Sequence, residues 1–266
     1  MASKKGKLFI VGIGPGDISQ LTVYAQEVIQ SSELVIGYRT YIDLIEGLIE
    51  NQLIMQTGMG GEVERCQLAI EAAKEGKRVA VISSGDAGVY GMAGLVYEIL
   101  STSRCVSRAP SAQNESPAFE IEVVPGVPAL CAASALLGAP LMNDFASISL
   151  SDLLTPWDVI AKRIEAAAKG DFVIVLYNPR SSRRTEPIQR VYRILSRYRK
   201  PTTPVGIVKN AYRDDCHVII SDLNRMLSCD IDMRTIIIVG NSTTFIFENR
   251  MITPRGYTAK YDLYSE

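Results

Sequence analysis

Three stretches of this chain end an apolar run in closely spaced glycines. Such places let a backbone come close to a ligand, because glycine has no Cβ to hold it off. The first is Gly12-Ile13-Gly14-Pro15-Gly16-Asp17, at the end of the apolar run Leu8–Ile13. It is not the dinucleotide fingerprint: Asp17 stands where the third glycine belongs, and an acid there repels a pyrophosphate. A turn that admits a ligand without phosphates fits better, with a plain strand-to-helix turn as the alternative. The second is Ser83-Ser84-Gly85-Asp86-Ala87-Gly88-Val89-Tyr90-Gly91, where Asp86 can accept a hydrogen bond from a hydroxyl or an ammonium. The third is Val124-Pro125-Gly126-Val127-Pro128-Ala129-Leu130.

Positioning these loops takes strands. Short β-branched runs recur at Leu8–Ile13, Leu34–Ile36, Val79–Ser83 and Ile121–Val124, and helical spacing fills the gaps, as in Leu21, Ala25, Val28 and Ile29. That alternation predicts a mostly parallel, doubly wound α/β sheet over residues 1–126, with the three glycine loops at one edge. Ser19 or Thr22 can cap the first helix, and Gly76 can end a helix over Glu62–Glu75. Residues 127–266 predict strands at Ala146–Leu150, Phe172–Tyr177, Val205–Val208, His217–Ile220 and Thr235–Val239, with helices at Trp157–Ala168 and Glu186–Tyr198. Strands joined there by short polar turns predict a mixed sheet with helices on one side. Residues 101–118 are polar and aperiodic, which predicts an exposed loop.

With 266 residues, the chain is long enough for two domains at roughly 150 residues each. Its 28 basic and 29 acidic side chains leave a net charge of −1, so no positive field invites nucleic acid. The apolar start meets Gly12, Gly14 and Pro15 too soon for a signal peptide. The uncharged stretch 123–143 is broken by Pro125, Gly126, Pro128, Gly138 and Pro140, too often for a membrane span. Five scattered cysteines with no C-x-x-C pair read as reduced cytoplasmic thiols, and no metal site is expected.

Taken in order, Gly-x-Gly-Pro-Gly-Asp, Ser-Gly-Asp-x-x-x-Tyr-Gly and Val-Pro-Gly resemble the tetrapyrrole (corrin/porphyrin) methylase family over nearly the whole chain. The resemblance implies two α/β domains with a cleft between them for S-adenosylmethionine, which leaves as S-adenosylhomocysteine, and a homodimer. It places Pro15 of the first loop, Ser84, Gly85, Asp86, Val89 and Tyr90 of the second, and Pro128 and Ala129 of the third against that cofactor. From the second domain it adds Tyr177, Asn178 and Ala211. Asn143–Trp157, Leu176–Ser181 and Gly240–Thr244 resemble the branch that methylates carbon 17 of precorrin-3B, or its cobalt form, and contracts the ring. That branch often has histidine where this chain has Asn143.

The same resemblance makes a tetrapyrrole the substrate. Arg180, Arg183 and Arg184, just past Tyr177-Asn178, can hold its carboxylates through guanidinium forks. Arg190, Arg193 and Arg197 share one helix face and read as solvated. Ring contraction needs a proton taken from a ring hydroxyl and carbonyl charge steadied, for which Asp152, Tyr177 and Lys209 are the candidates. The lone His217 reads as structural. A sibling methylase acting at another ring carbon and a non-catalytic tetrapyrrole carrier are the rival readings.

Overall fold

The computed structural model describes residues 5–106, 119–181 and 184–262. The chain divides into two compact units, Met1–Ala129 and Leu130–Glu266.

In the first unit the elements run Lys7–Gly12 (β1), Val23–Ser31 (α1), Leu34–Tyr38 (β2), Arg39–Asp43 (α2), Leu53–Thr57 (β3), Glu62–Lys74 (α3), Arg78–Ser83 (β4), Met92–Val106 (α4) and Glu120–Val124 (β5). The five strands are parallel throughout, in the order β3-β2-β4-β1-β5. Strands β1 and β4 are buried along nearly their whole length because the sheet is covered on both faces. Leu8 and Ile10 pack toward Cys66, Ile70 and Val96 of α3 and α4, and Phe9 and Val11 toward Ala25, Val28 and Ile29 of α1. Burial pushes the Cys66 thiol up to about 11, which keeps it an inert part of that core. Of the two capping candidates, Thr22 starts α1, its Oγ accepting from the Ala25 N–H at 3.1 Å. Gly76 follows α3 at φ +89°, the left-handed conformation that ends a helix. Strand β3 has no counterpart among the predicted runs; it lies on the sheet edge with Leu53 and Met55 exposed.

One expectation is corrected here. Residues 101–106 belong to α4 rather than to a loop, because Leu95, Val96, Ile99 and Leu100 carry an apolar face up to that point. The rest of the expected loop, 107–118, lies outside the described residues.

The second unit takes up Ala129–Leu137 (α5) and then runs Gly138–Ala139 (β6), Phe145–Ser149 (β7), Trp157–Lys169 (α6), Val173–Tyr177 (β8), Glu186–Leu195 (α7), Pro204–Lys209 (β9), His217–Asp222 (β10), Thr235–Val239 (β11), Phe245–Phe247 (β12) and Arg250–Ile252 (β13). Its main sheet has the order β10-β9-β11-β8-β7. Only β7 and β8 pair parallel; the other neighbours are antiparallel. Strands β7, β8 and β9 therefore point the same way, and their C-terminal ends share one edge. Ile174, Leu176, Val205, Ile207, Ile237 and Val239 form the face packed under α6 and α7. The opposite face meets α5, where Leu137 fills the space a Cβ on Gly206 would need, at 2.4 Å. A smaller sheet, β12-β13-β6, ends in a hairpin whose turn residues Glu248 and Asn249 have φ of +44° and +58°, the left-handed pair that a two-residue turn demands.

Candidate functional site

In the first unit β4, β1 and β5 are neighbours, so the three glycine loops that follow them meet at one edge. Gly14 and Gly85 exchange backbone hydrogen bonds at 3.0 and 2.8 Å. Both have left-handed backbones, at φ +71° and +69°, which an L side chain rarely adopts. A Cβ on Gly126 would lie 2.3 Å from the Gly85 carbonyl oxygen and 2.6 Å from that of Gly12. Asp86 fastens the second loop to the third: Oδ1 accepts from the Gly88 N–H at 2.7 Å and Oδ2 from the Gly126 N–H at 3.0 Å. Asp17 is turned to local use, with Oδ1 accepting from the Ser19 N–H at 2.7 Å. The Ser19 hydroxyl, followed by that backbone bond, holds its carboxyl below the usual range. Tyr90 is half exposed at φ +53°, a strained backbone of the sort found where a ligand is held.

The charge at this edge is one-sided. The loops 12–17, 84–91 and 125–128 contain two carboxylates, Asp17 and Asp86, and no cation. Each oxygen of Asp86 keeps accepting capacity beyond its one backbone donor. A ligand bearing an ammonium or sulfonium suits this edge and a phosphate does not, so the loops fit S-adenosylmethionine.

At the second unit's edge, the end of β7 brings Ser149, Leu150 and Asp152, the end of β8 brings Tyr177 and Asn178, and the end of β9 brings Lys209 to Ala211. The Leu130 N–H, in the first turn of α5, donates to the Tyr177 hydroxyl at 2.9 Å. Asn178, at φ +52°, donates from Nδ2 to Ser149 Oγ at 3.0 Å. Arg184 donates from one guanidinium nitrogen to Asp152 Oδ1 at 3.1 Å and to the Leu150 carbonyl at 3.2 Å. Arg180 is exposed and has no ion-pair partner among the described residues. Lys209 is fixed by Asp230 at 2.7 Å and Asp232 at 3.0 Å, and those hydrogen bonds hold its ammonium above the ordinary value.

A cavity of about 310 Å³ lies beside β10 and the hairpin turn, lined by Val218, Ile220, Glu248 and Arg250 among others. One of about 470 Å³ lies at Lys5, Lys7, Tyr97 and Phe119. Neither includes a glycine loop or the ends of β7, β8 and β9, and the loop chemistry is the better guide to the site. Among the described residues no cluster of three or more His, Cys, Asp or Glu side chains is placed to hold a metal ion.

The sequence profile of the tetrapyrrole (corrin/porphyrin) methylases matches residues 7–226. The chain belongs to this family. The cobalt-factor III methyltransferase of Priestia megaterium is 53% identical to this chain over 259 residues, covering 97% of it. The chain spans about half that relative's length, 46%. The probable cobalt-factor III C(17)-methyltransferase of Salmonella typhimurium is 47% identical, with 94% of this chain and 99% of the relative covered. The crystal structure of the methyltransferase CobJ superposes with a TM-score of 0.83 at 32% identity, covering 94% of this chain and all of that one.

Several residues singled out in the sequence have other work. Asp152, Tyr177 and Lys209 do not form one cluster. Lys209 shares the alternation of Val205 and Ile207 and so faces the α6–α7 side with Asp230 and Asp232, whereas Tyr177 follows Val173 and Val175 onto the α5 side. Asn143 precedes the start of β7, at the far edge from Ser149, with its Oδ1 accepting from the Asp144 N–H at 2.7 Å; histidine or asparagine there does not touch the site edge. Gly240–Thr244 follows β11, which runs antiparallel to β8 and β9, and so also lies at the far edge. There the buried Arg199 donates to the carbonyls of Ala168, Phe172 and Gly240 and pairs with Asp171 at 3.1 Å, while Asn241 Oδ1 gathers the hydroxyls of Thr243 and Thr244. His217 is exposed at the start of β10, opposite Lys209 in register. Arg190 pairs with Glu186 on the surface, and Arg183 lies outside the described residues. Sequence reasoning missed Ser149, Asn210 and Asp215. The available signal was an asparagine directly after each of two apolar strands, since asparagine tolerates a left-handed backbone.

Proposed function

We propose that this chain transfers a methyl group from S-adenosylmethionine to carbon 17 of a corrin-type tetrapyrrole and supports the ring contraction that accompanies it. Cobalt-factor III is the substrate we favour, because the relatives at 53% and 47% identity carry that name. The observation that carries the cofactor part is the cation-free edge of glycine loops tied together by Asp86. Pro15, Ser84, Gly85, Val89, Tyr90, Pro128 and Ala129 complete the cofactor set there, with Tyr177, Asn178 and Ala211 as further contacts.

When bound, S-adenosylmethionine supplies a methyl group already activated by its sulfonium. The protein's task is to hold the reactants in line and exclude water, which a site built of backbone turns can do without a strong nucleophile. Arg180, Arg183 and Arg184 bind substrate carboxylates. Asp152 takes the proton from the ring hydroxyl, with Arg184 orienting its carboxylate through Oδ1. Lys209, held protonated by two carboxylates, serves as a fixed positive charge rather than a base. The finer picture is a cytoplasmic homodimer. The exposed Phe245, Ile246 and Phe247 on the outer strand β12 support a second copy as partner, and light scattering checks it.

The test is incubation of the purified chain with S-adenosylmethionine and cobalt-factor III, and separately with metal-free precorrin-3B. A gain of one methyl mass with stoichiometric S-adenosylhomocysteine is expected on the cobalt form. Tight pigment binding with no methyl gain on either would overturn the enzymatic reading in favour of a carrier.

A further inference from the structure

Residue 210 is an asparagine that the structure treats unusually. It follows the last residue of β9, has φ +51° and is only 3% exposed. Its backbone N–H donates to the Arg234 carbonyl at 3.1 Å, and its own carbonyl accepts from the Arg213 N–H at 3.0 Å, closing a tight turn over Ala211 and Tyr212. Tyr212, at φ +57°, is left-handed as well. The Asn210 side chain donates from Nδ2 to Asp215 Oδ2 at 2.6 Å, and Arg234 steadies that carboxylate from 3.6 Å. The amide oxygen is buried with no hydrogen-bond partner. An unsatisfied buried acceptor on a strained backbone is a cost that folds accept where a particular geometry is needed.

What the turn achieves is the presentation of one peptide unit. No described residue hydrogen-bonds the N–H or C=O of Ala211, which is part-exposed at the tip. Asn178 repeats the device in the same edge, with β11 between the two strands: left-handed, directly after β8, and tethered through Nδ2 to a neighbouring side chain. Two asparagines that end parallel-running strands in the same way mark the edge as a built surface rather than two accidental turns. We infer that Asn210 is a positioning residue for the cofactor, acting through its left-handed backbone and its Asp215 tether to hold the Ala211 peptide open to the ligand. This rests on the proposal that Ala211 contacts S-adenosylmethionine.

The two parts of the device separate by mutation. Asn210→Ala removes both the tether and the tolerance for positive φ; Asn210→Gly keeps the φ; Asp215→Ala cuts the tether at an exposed side chain and does not threaten folding. Calorimetry with S-adenosylhomocysteine is the readout, with KM for S-adenosylmethionine and kcat measured alongside. Asn210→Ala is expected to weaken binding about tenfold and to raise KM with kcat largely kept, with Asn210→Gly and Asp215→Ala each nearer threefold. Asp215→Asn, which keeps an acceptor for Nδ2, should restore near wild-type binding. If Asn210→Ala and Asp215→Ala bind S-adenosylhomocysteine as the wild type does, whatever their melting temperatures, the inference is wrong. If the wild type binds none, the cofactor reading fails and takes this inference with it.

Discussion

The two sheet edges solve the same problem with different materials. At the end of β1, β4 and β5 backbone packs on backbone: Gly12 and Gly126 come so close that neither has room for a methyl group, Gly85 is held at φ +69°, and one carboxylate, Asp86, does most of the tying. At the end of β7, β8 and β9 the turns are held by side chains, Asn178 to Ser149, Arg184 to Asp152, Asn210 to Asp215 and Lys209 to its two aspartates. The first kind of edge has no adjustable part, whereas the second can change a residue at a time. A part that does not vary suits the former; the latter, where the proposed Ala211 contact lies on the same edge as the substrate arginines, can change with the substrate.

The sharpest way to break this contrast is a single methyl group. Gly126→Ala puts a Cβ 2.3 Å from the Gly85 oxygen and 2.6 Å from the Gly12 oxygen, and both are backbone atoms that cannot swing aside. The expected loss is about 3 kcal/mol of stability, measured by chemical denaturation, with loss of S-adenosylhomocysteine binding. Gly58→Ala is the control, since nothing lies within 4 Å of its Cβ, and it should leave both unchanged. A Gly126→Ala protein as stable as the control would mean the loops are not packed as described.

That comparison also explains what could be read from the amino acids alone. Parallel alternation in the first unit was legible because β1, β2 and β4 are buried on both faces and so are apolar throughout. The edge strand β3 ends in the polar Gln56 and Thr57, and β6, β12 and β13 are only two or three residues long, too short for a period to show. The glycine loops stood out, but the sequence does not say whether a glycine is needed by a ligand or by another loop. Gly12 and Gly126 prove to be needed by each other. At the second edge Tyr177, Asn178 and Ala211 were legible through family resemblance and Asn210 only as an asparagine directly after an apolar strand, while the tethers of Asn210 to Asp215 and Asn178 to Ser149 depend on a turn geometry that no spacing announces. The proton-handling candidates are spread for a related reason: alternation along β8 and β9 puts Tyr177 and Lys209 on opposite faces of the sheet.

A milder effect is expected at the adjustable edge. Arg184→Ala removes the contact to Asp152 and to the Leu150 carbonyl. Since the pair is partly exposed, at 23% and 39%, stability should change by less than about 1 kcal/mol. KM for the tetrapyrrole should rise about tenfold, equivalent to roughly 1.4 kcal/mol, while S-adenosylhomocysteine affinity stays at the wild-type value. A drop in affinity for S-adenosylhomocysteine equal to the KM effect would show that Arg184 serves the cofactor rather than the substrate.

The smallest effect belongs at the opposite end of the first sheet, where side chains do tie β1 to β5. Glu122 accepts from Lys7 at 2.7 Å and from the Tyr24 hydroxyl at 2.5 Å. The Lys7 hydrogen bond, followed by that of Tyr24, holds the Glu122 carboxyl below its ordinary 4.5, while the bond to Glu122 holds the Tyr24 phenol above its ordinary 10.0. A carboxylate with a depressed folded pKa stabilises the protein above its unfolded value and loses that contribution as pH falls through the folded one. A phenol with a raised pKa contributes below its unfolded value and loses the contribution as pH climbs past the folded one. Glu122→Gln should therefore lower the melting temperature slightly and by a constant amount between about pH 5 and pH 10, with the gap to wild type closing toward pH 3 and again above pH 11. The glycine edge contains no comparable ion pair, so Gly126→Ala should show a gap that does not close at either extreme. A pH-independent gap for Glu122→Gln would mean that packing, not charge, joins β1 to β5 at that end.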